Sequence, residues 1–364
     1  MIARWIAAHR SLVATVTSGT VVAALIAAMA VVSGGYTAQR LDLGDAAVWV
    51  TNEARQVVGR ANTAVRELNT VVAAGSSSLD LLQQGATVLV IDRGNSSLDI
   101  LDPATATVAE SVPLPPVNPS VYLAADRAVV ASDGNIWNLA ADELADFDSL
   151  SKPTLSLGAG SVTSMDANGV FFSFTPATGD LARVDTTVGD AVVSTVTLDA
   201  GAAEDHYQLT SVDGHWALLN ATSGRVFLSG QQVDLAGDIA TDGGPALQQP
   251  SVTGDRILIA HDQGLVAVSI SGGHATVLVS GRNGDAAAPA SAGDCSYAAW
   301  GDGGVWRSCA GQSSRGATAA LEGVAGNASL GFRMNGSALL LNDARGGAAW
   351  AVQQGNELID NWDD

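Results

Sequence analysis

Lysine is all but missing from this chain. Lys152 is the only one, and the 17 Lys and Arg together face 37 Asp and Glu, for a formal net charge of −20 over 364 residues. So acidic a surface repels phosphate backbones and anionic headgroups, which excludes nucleic acid as a partner. Histidine is scarce as well. His9, His206, His215, His261 and His274 form no HExxH, HxxxH or mixed Cys/His set, so the usual transition-metal signatures are absent. There is no Gly-x-Ser-x-Gly elbow, Walker loop or dinucleotide fingerprint, and no cofactor is expected. An Asp-x-Asp-x-Asp-Gly calcium loop is lacking too. Turn chemistry is the simpler reading of Asp146, Asp148, Asp302 and Asp343.

Charge is absent altogether from one stretch. The first forty residues hold no acidic side chain, and the 29 residues between Arg10 and Arg40 hold no charge of either sign. From Leu12 to Val32 the segment is Val, Ala, Leu, Ile and Met relieved by small residues, and about 20 apolar residues span a bilayer as a helix. Arg4, His9 and Arg10 precede it, while Asp42 and Asp45 follow Arg40, so the positive-inside bias keeps the N-terminus cytoplasmic. The expected layout is a cytoplasmic N-terminus over 1–11, a transmembrane signal anchor over 12–33, a linker over 34–46 and an extracytoplasmic domain over 47–364. Cleavage near Ser33-Gly34-Gly35 is the alternative, but the apolar run exceeds the roughly 7–15 residues of a signal-peptide core. Beyond Arg40 the charge is 14 − 37 = −23. Arg over Lys, with abundant Ala, Gly and Val, points to a GC-rich bacterial genome.

What the remainder does have is a period. An apolar β-rich run, a short polar turn and a second, alternating run recur around Asn52, Asp92, Asp133, Thr175, Asn220, His261, Gly301 and Asn342, spaced 40, 41, 42, 45, 41, 40 and 41 residues apart. Further runs before and after each pair, such as Ser161 to Met165 and Ala191 to Val196 around Thr175, bring the count to about four strands per repeat. Four antiparallel strands per unit without intervening helices predict an all-β fold, a β-propeller of about eight four-stranded blades. Seven blades are the alternative, if the first and last units merge into one ring-closing blade. The turn Thr175-Pro176-Ala177-Thr178-Gly179 places Pro where φ is fixed and Gly where φ is positive, and Asp102-Pro103-Ala104-Thr105 resembles it.

The two cysteines, Cys295 and Cys309, flank the hairpin SYAAWGDGGVWRS at equal distance from its turn. Opposed positions on an antiparallel pair lie close enough to bridge, and an oxidising compartment favours the bond. A metal pair or catalytic thiol has no neighbouring His in sequence to complete it. Trp49, Trp137, Trp216, Trp300, Trp306 and Trp350 fall in periodic strands, where packing between blades is the simple explanation. Trp362, beside Asp360, Asp363 and Asp364, is expected to be exposed.

Several segments resemble a known family. GDAAVWVTN (Gly44 to Asn52), VLVIDRGNSSLDILDPATATV (Val88 to Val108), the Cys295–Cys309 hairpin and the end ARGGAAWAVQQGNELIDNWDD are similar to large actinobacterial membrane-anchored proteins with fibronectin type III or Ig-like domains. The resemblance implies a membrane helix and a propeller-like region ahead of Ig-like modules, encoded near an AAA-type ATPase and a transglutaminase-like protein. The family pattern continues past the position of Asp364 into such modules, so the chain is expected to be either a shortened member or a fragment, and the modules' adhesive or polysaccharide roles do not carry over to these residues.

The function expected from these observations is a non-enzymatic interaction scaffold on the outer face of the cell membrane, holding an envelope protein or cell-wall glycan. The rival readings are a polysaccharide-binding or glycoside-cleaving enzyme with paired carboxylates at the channel, and an extracytoplasmic sensor.

Overall fold

A computed structural model describes residues 47–124, 126–188, 192–241, 244–312 and 315–363. The expected anchor (12–33) and linker (34–46) lie outside these residues. Among the described residues no helix is long and apolar enough to cross a membrane.

Eight antiparallel sheets follow one another along the chain. Blade 1 has β1 (Ala47–Asn52), β2 (Val57–Asn62) and β3 (Glu67–Ala73). Blade 2 has β4 (Leu79–Gln84), β5 (Thr87–Asp92), β6 (Ser97–Asp102) and β7 (Thr107–Pro113). Blade 3 has β8 (Ser120–Ala124), β9 (Arg127–Ser132), β10 (Asn135–Ala140) and a two-residue β11 (Leu155–Ser156), with a 3-10 helix at Ala141–Asp146 that the sequence pattern did not anticipate. Blade 4 has β12 (Val162–Met165), β13 (Val170–Thr175), β14 (Asp180–Asp185) and β15 (Val192–Thr197). Blade 5 has β16 (Tyr207–Val212), β17 (His215–Asn220), β18 (Arg225–Leu228) and β19 (Gln231–Asp234). Blade 6 has β20 (Ala246–Leu247), β21 (Arg256–His261), β22 (Gly264–Ser269) and β23 (Ala275–Ser280). Blade 7 has β24 (Ala290–Ala292), β25 (Cys295–Ala299), β26 (Gly304–Cys309) and β27 (Ala317–Ala320). Blade 8 has β28 (Leu330–Asn335), β29 (Ala338–Asp343), β30 (Ala349–Ala351) and β31 (Glu357–Ile359).

Burial falls off from the second strand of a blade outward. In blade 2, β5 (TVLVID) is buried along nearly its whole length, β6 (SLDILD) alternates, and β7 is exposed except at Val112. From blade 2 onward the second strands are largely apolar between their ends because both of their faces are covered, as the alternating side chains of a strand require. Val48 and Val50 of β1 pack toward blade 8, whereas Trp49 packs toward blade 2. The same division recurs around the ring, so the core is eight apolar wedges, each between two successive blades, the eighth between blades 8 and 1. Each fully buried Val, Leu or Phe in a wedge contributes about 1.5–3 kcal/mol. The blade count is eight, and the first and last units do not merge.

Those terminal blades meet at a seam that no described strand crosses. Asn342 of β29 holds Thr51 of β1, accepting its N–H at 2.9 Å and donating to its carbonyl at 3.1 Å. The chain after β31 then runs onto blade 1. The Asn361 side chain accepts the Leu68 N–H at 2.8 Å and donates to its carbonyl at 3.3 Å, and Arg55 pairs with Asp363 and Arg66 with Glu357. Trp362 is not exposed, as its acidic neighbours suggested. It is 9% accessible, sits on Gly59 of β2 and donates its indole N–H to the Gly347 carbonyl at 2.9 Å.

The polar residues that mark the sequence period do more than make turns. In blades 2 to 8 a polar residue at or next to each of these positions stands at or just beyond the end of the second strand and ties down the loop leading into its own blade, whereas Asn52 of β1 accepts the Arg55 N–H of its own turn at 3.1 Å. Asp92 takes the Ser76 hydroxyl, Ser132 donates to the Val117 carbonyl at 2.6 Å, and Thr175 to that of Leu157 at 2.8 Å. Asn220 donates to the Ala200 carbonyl at 2.9 Å, and His261 Nδ1 accepts the Ala240 N–H at 3.3 Å. Asp302 accepts the Asn283 N–H at 3.0 Å and Asp343 that of Ser329 at 2.8 Å. The hairpin of blade 3 turns at Asp133-Gly134, both at positive φ (47° and 77°), and a Cβ on Gly134 would lie 1.8 Å from the Gly158 oxygen.

Candidate binding channel

The inner strands β4, β8, β12, β16, β20, β24 and β28 surround the central channel, and side chains lace them together. Tyr122 of β8 bonds to the Thr163 carbonyl of blade 4 at 2.8 Å. Gln208 of β16 accepts the Leu247 N–H at 2.8 Å, and Gln248 reaches Ser291 of blade 7 at 3.2 Å. Gln249 spans from blade 6 to blade 8, donating to the Phe332 carbonyl at 3.2 Å. Blade 1 has no inner strand among the described residues, and Gln83 and Asn335 occupy its inner edge.

Across that gap Arg333 of β28 meets Asp80 of β4. Its Nη1 lies 2.7 Å from Asp80 Oδ1 and 3.1 Å from the Leu81 carbonyl, while Arg93 approaches Oδ2 at 3.3 Å. Burial pushes the Asp80 carboxyl up, but Arg333, the Leu81 N–H and Arg93 together outweigh it and hold the group below its ordinary value. A cavity of about 490 Å³ lies alongside, with Asp80 and Arg93 at one end and Met165, Pro250 and Met334 at the other. Among the described residues Asp80 is the single carboxylate lining it. A general acid needs a raised pKa, and Asp80 is shifted the opposite way.

A second cavity, of about 700 Å³, opens between the loops of blades 7 and 8 and is lined by Asp285, Asp302, Asn327 and Arg345. Its polar groups largely satisfy one another: Arg282 pairs with Asp302 at 3.3 Å, and Arg345 donates to the Asn327 carbonyl at 2.9 Å. The acids considered for calcium serve turns, Asp148 accepting the Leu150 N–H and Asp343 that of Arg345. Among the described residues no three His, Cys, Asp or Glu side chains are placed to hold a metal.

Cys295 and Cys309 form the expected disulfide. They are directly opposed in the β25/β26 register with Cα atoms 4.0 Å apart, and the Arg307 guanidinium approaches Cys309 Sγ at 3.1 Å. The bond borders a cleft of about 380 Å³ between blades 6 and 7. Trp49, Trp137, Trp300, Trp306 and Trp350 are buried in the wedges, and Trp216 is half-buried, as packing residues should be. His206 and His215 are exposed, His215 opening β17. His261 is buried, and its burial holds the imidazole pKa below the usual value despite Asp262 nearby. His9 lies outside the described residues. The channel group of Asp80, Arg93 and Arg333 had no counterpart in the sequence reading.

No protein-family model matches the chain, and a search of curated proteins finds no match. Solved structures do resemble it. The dihydro-heme d1 dehydrogenase NirN, in complex with DHE, superposes with a TM-score of 0.57 at 12% identity, over 87% of this chain and 72% of that one. Apo AztD from Citrobacter koseri gives 0.50 at 11% identity, over 76% and 87%. BamB from Moraxella catarrhalis gives 0.45 at 16%, over 83% and 89%. At these identities the likeness is one of fold: the chain is an eight-bladed β-propeller.

Proposed function

We propose that the chain is a membrane-anchored, extracytoplasmic propeller that holds an envelope protein and catalyses no reaction on it. The apolar, uncharged segment over 12–33 supports the anchor, and the resemblance to actinobacterial fibronectin type III or Ig-like proteins supports an envelope setting. The observation that carries the binding role is an apolar margin on an otherwise acidic ring. Leu150, between β10 and β11, is 92% exposed, and Val188, between β14 and β15, is 84% exposed. These loops belong to neighbouring blades joined by the Asn138 side chain, which donates to the Thr186 carbonyl at 3.1 Å. Beside them runs β15 (VVSTVT), exposed along its whole length and free of charge and proline. Outer strands are ordinarily guarded by such residues, as β7 is by Glu110 and Pro113. An unguarded edge of this kind suits an added strand from a partner, with main-chain hydrogen bonds supplying affinity.

The glycan reading has less to rest on, since of the tryptophans that would stack on sugars Trp49, Trp137, Trp300, Trp306, Trp350 and Trp362 are buried in the core and Trp216 is half-buried. A photo-cross-linking residue placed at Val193 or at Val196 in the native host should capture one and the same envelope protein. The same residue at Val65 on blade 1 should not, and Val193→Asp should abolish capture from position 196. Equal labelling from all three positions, or none from any, overturns the reading.

A further inference from the structure

The channel cavity has chemistry that the scaffold reading does not use. Asp80 is engaged on both oxygens: Oδ1 takes Arg333 and the Leu81 N–H, and Oδ2 takes Arg93. A cationic ligand would have to compete with two guanidiniums already paired to it. The donors, in contrast, are in excess. Each guanidinium carries five N–H groups. Arg333 Nε is buried without a protein partner, and the half-exposed Arg93 spends one long contact of 3.3 Å on Asp80. Of these charged groups Asp80 and Arg93 line the cavity and balance each other, so the preference for an anion rests on the unspent N–H donors of Arg93. Glu53, the other acid nearby, accepts the Leu79 N–H at 3.5 Å and is not among the side chains lining the cavity.

Leu82, Val121, Leu123, Met165, Pro250 and Met334 give the cavity apolar walls, interspersed with the polar side chains of Gln83, Gln84, Ser120 and Gln249. Methionine walls adapt to the shape of what they cover, and about 490 Å³ lies within the roughly 300–1,000 Å³ range of small-molecule sites. The charged end comes from the starts of the inner strands and their neighbouring turns. The methionine end comes from the closing residues of β12 and β28. We propose that the central channel binds a small monoanionic amphipathic molecule, its carboxylate taken by the open fork of Arg93 and its apolar body lying against Met165 and Met334. Asp80 and Arg333 position Arg93 by fixing the charge behind it.

The test is ligand-observed NMR on the full chain with three probes of equal length: hexanoate, hexan-1-ol and hexylammonium. Hexanoate binds saturably and tightest of the three. Arg93→Gln weakens it about tenfold or more, the size expected for one charge-assisted contact, and leaves hexanol unchanged. Arg93→Lys restores part of the affinity. Met334→Trp, which fills the apolar end, removes binding of all three, and should that variant fail to fold, the Arg93 pair carries the test. Thermal midpoints of both Arg93 variants are read alongside. Absence of saturable hexanoate binding, equal or tighter binding of hexylammonium, or an unchanged hexanoate affinity in folded Arg93→Gln each overturns the proposal.

Discussion

Gln83 stands in for a strand. From β4 its Oε1 accepts the Trp49 N–H at 2.9 Å and its Nε2 donates to the Ala47 carbonyl at 3.2 Å, so one amide side chain reproduces a donor and an acceptor of the ladder that the inner edge of β1 lacks among the described residues. Gln83→Leu keeps the bulk and removes both bonds. Leaving the Trp49 N–H unpaired at a buried site should cost about 1–3 kcal/mol, read as a lower urea midpoint at unchanged slope. An unchanged midpoint would show that the edge is satisfied in some other way.

His261 gives the fold a pH dependence with a definite sign. Its Nδ1 accepts the Ala240 N–H, which requires the neutral ring, and burial lowers its pKa in the folded state. The unfolded chain, with the imidazole at about 6.5, therefore binds more protons than the folded one as pH falls below that value. Stability is fully present above the unfolded pKa and is lost as pH drops toward the folded one. Denaturation midpoints measured between about pH 7 and pH 5 should fall for the parent and be flatter for His261→Gln. Parallel curves would remove His261 as the cause.

The disulfide closes a short segment, Cys295 to Cys309, separated by 14 residues. Loop-closure entropy for that length predicts a loss of about 3 kcal/mol in the Cys295→Ser, Cys309→Ser double variant. The unreduced, denatured chain should release no thiol to Ellman's reagent. Two titratable thiols would refute the bridge.

Trp362 clasps the seam. Its ring lies on Gly59, where an added Cβ would come within 2.7 Å of it, and its N–H is tied to Gly347. Trp362→Ala should cost about 3–5 kcal/mol, and Gly59→Ala should also destabilise by forcing the ring off its seat. In hydrogen exchange, β1 to β3 and β29 should lose protection before blades 4 to 6 do. Uniform loss of protection around the ring would show that the seam is no weaker than any other joint.

Much of the architecture was legible because each blade repeats one physical requirement. A second strand covered on both faces must be largely apolar between its ends, and the polar residue at its end must hold an incoming loop, so the pattern returns about every 41 residues. The disulfide was legible for a similar reason, since its two cysteines straddle one hairpin. Trp362 was misread because its sequence neighbours are acids while its packing partners, Gly59 and Gly347, come from two different blades. The channel group was invisible for the same reason on a larger scale: Arg333 and Asp80 are 253 residues apart and meet only because the ring closes. Nothing local in LDLLQQ or LGFRMN distinguishes those two charges from solvent-facing ones.

The seam also bears on how such a ring could change size. Blades 8 and 1 are each drawn from their own end of the described chain, so among the described residues the eight units are beads on a string fastened by a clasp, with no strand shared between the two. Gain or loss of one whole bead in the middle of the string would leave both halves of the clasp intact, a route to seven- or nine-membered descendants that a ring stitched together by a shared strand would have to unpick first.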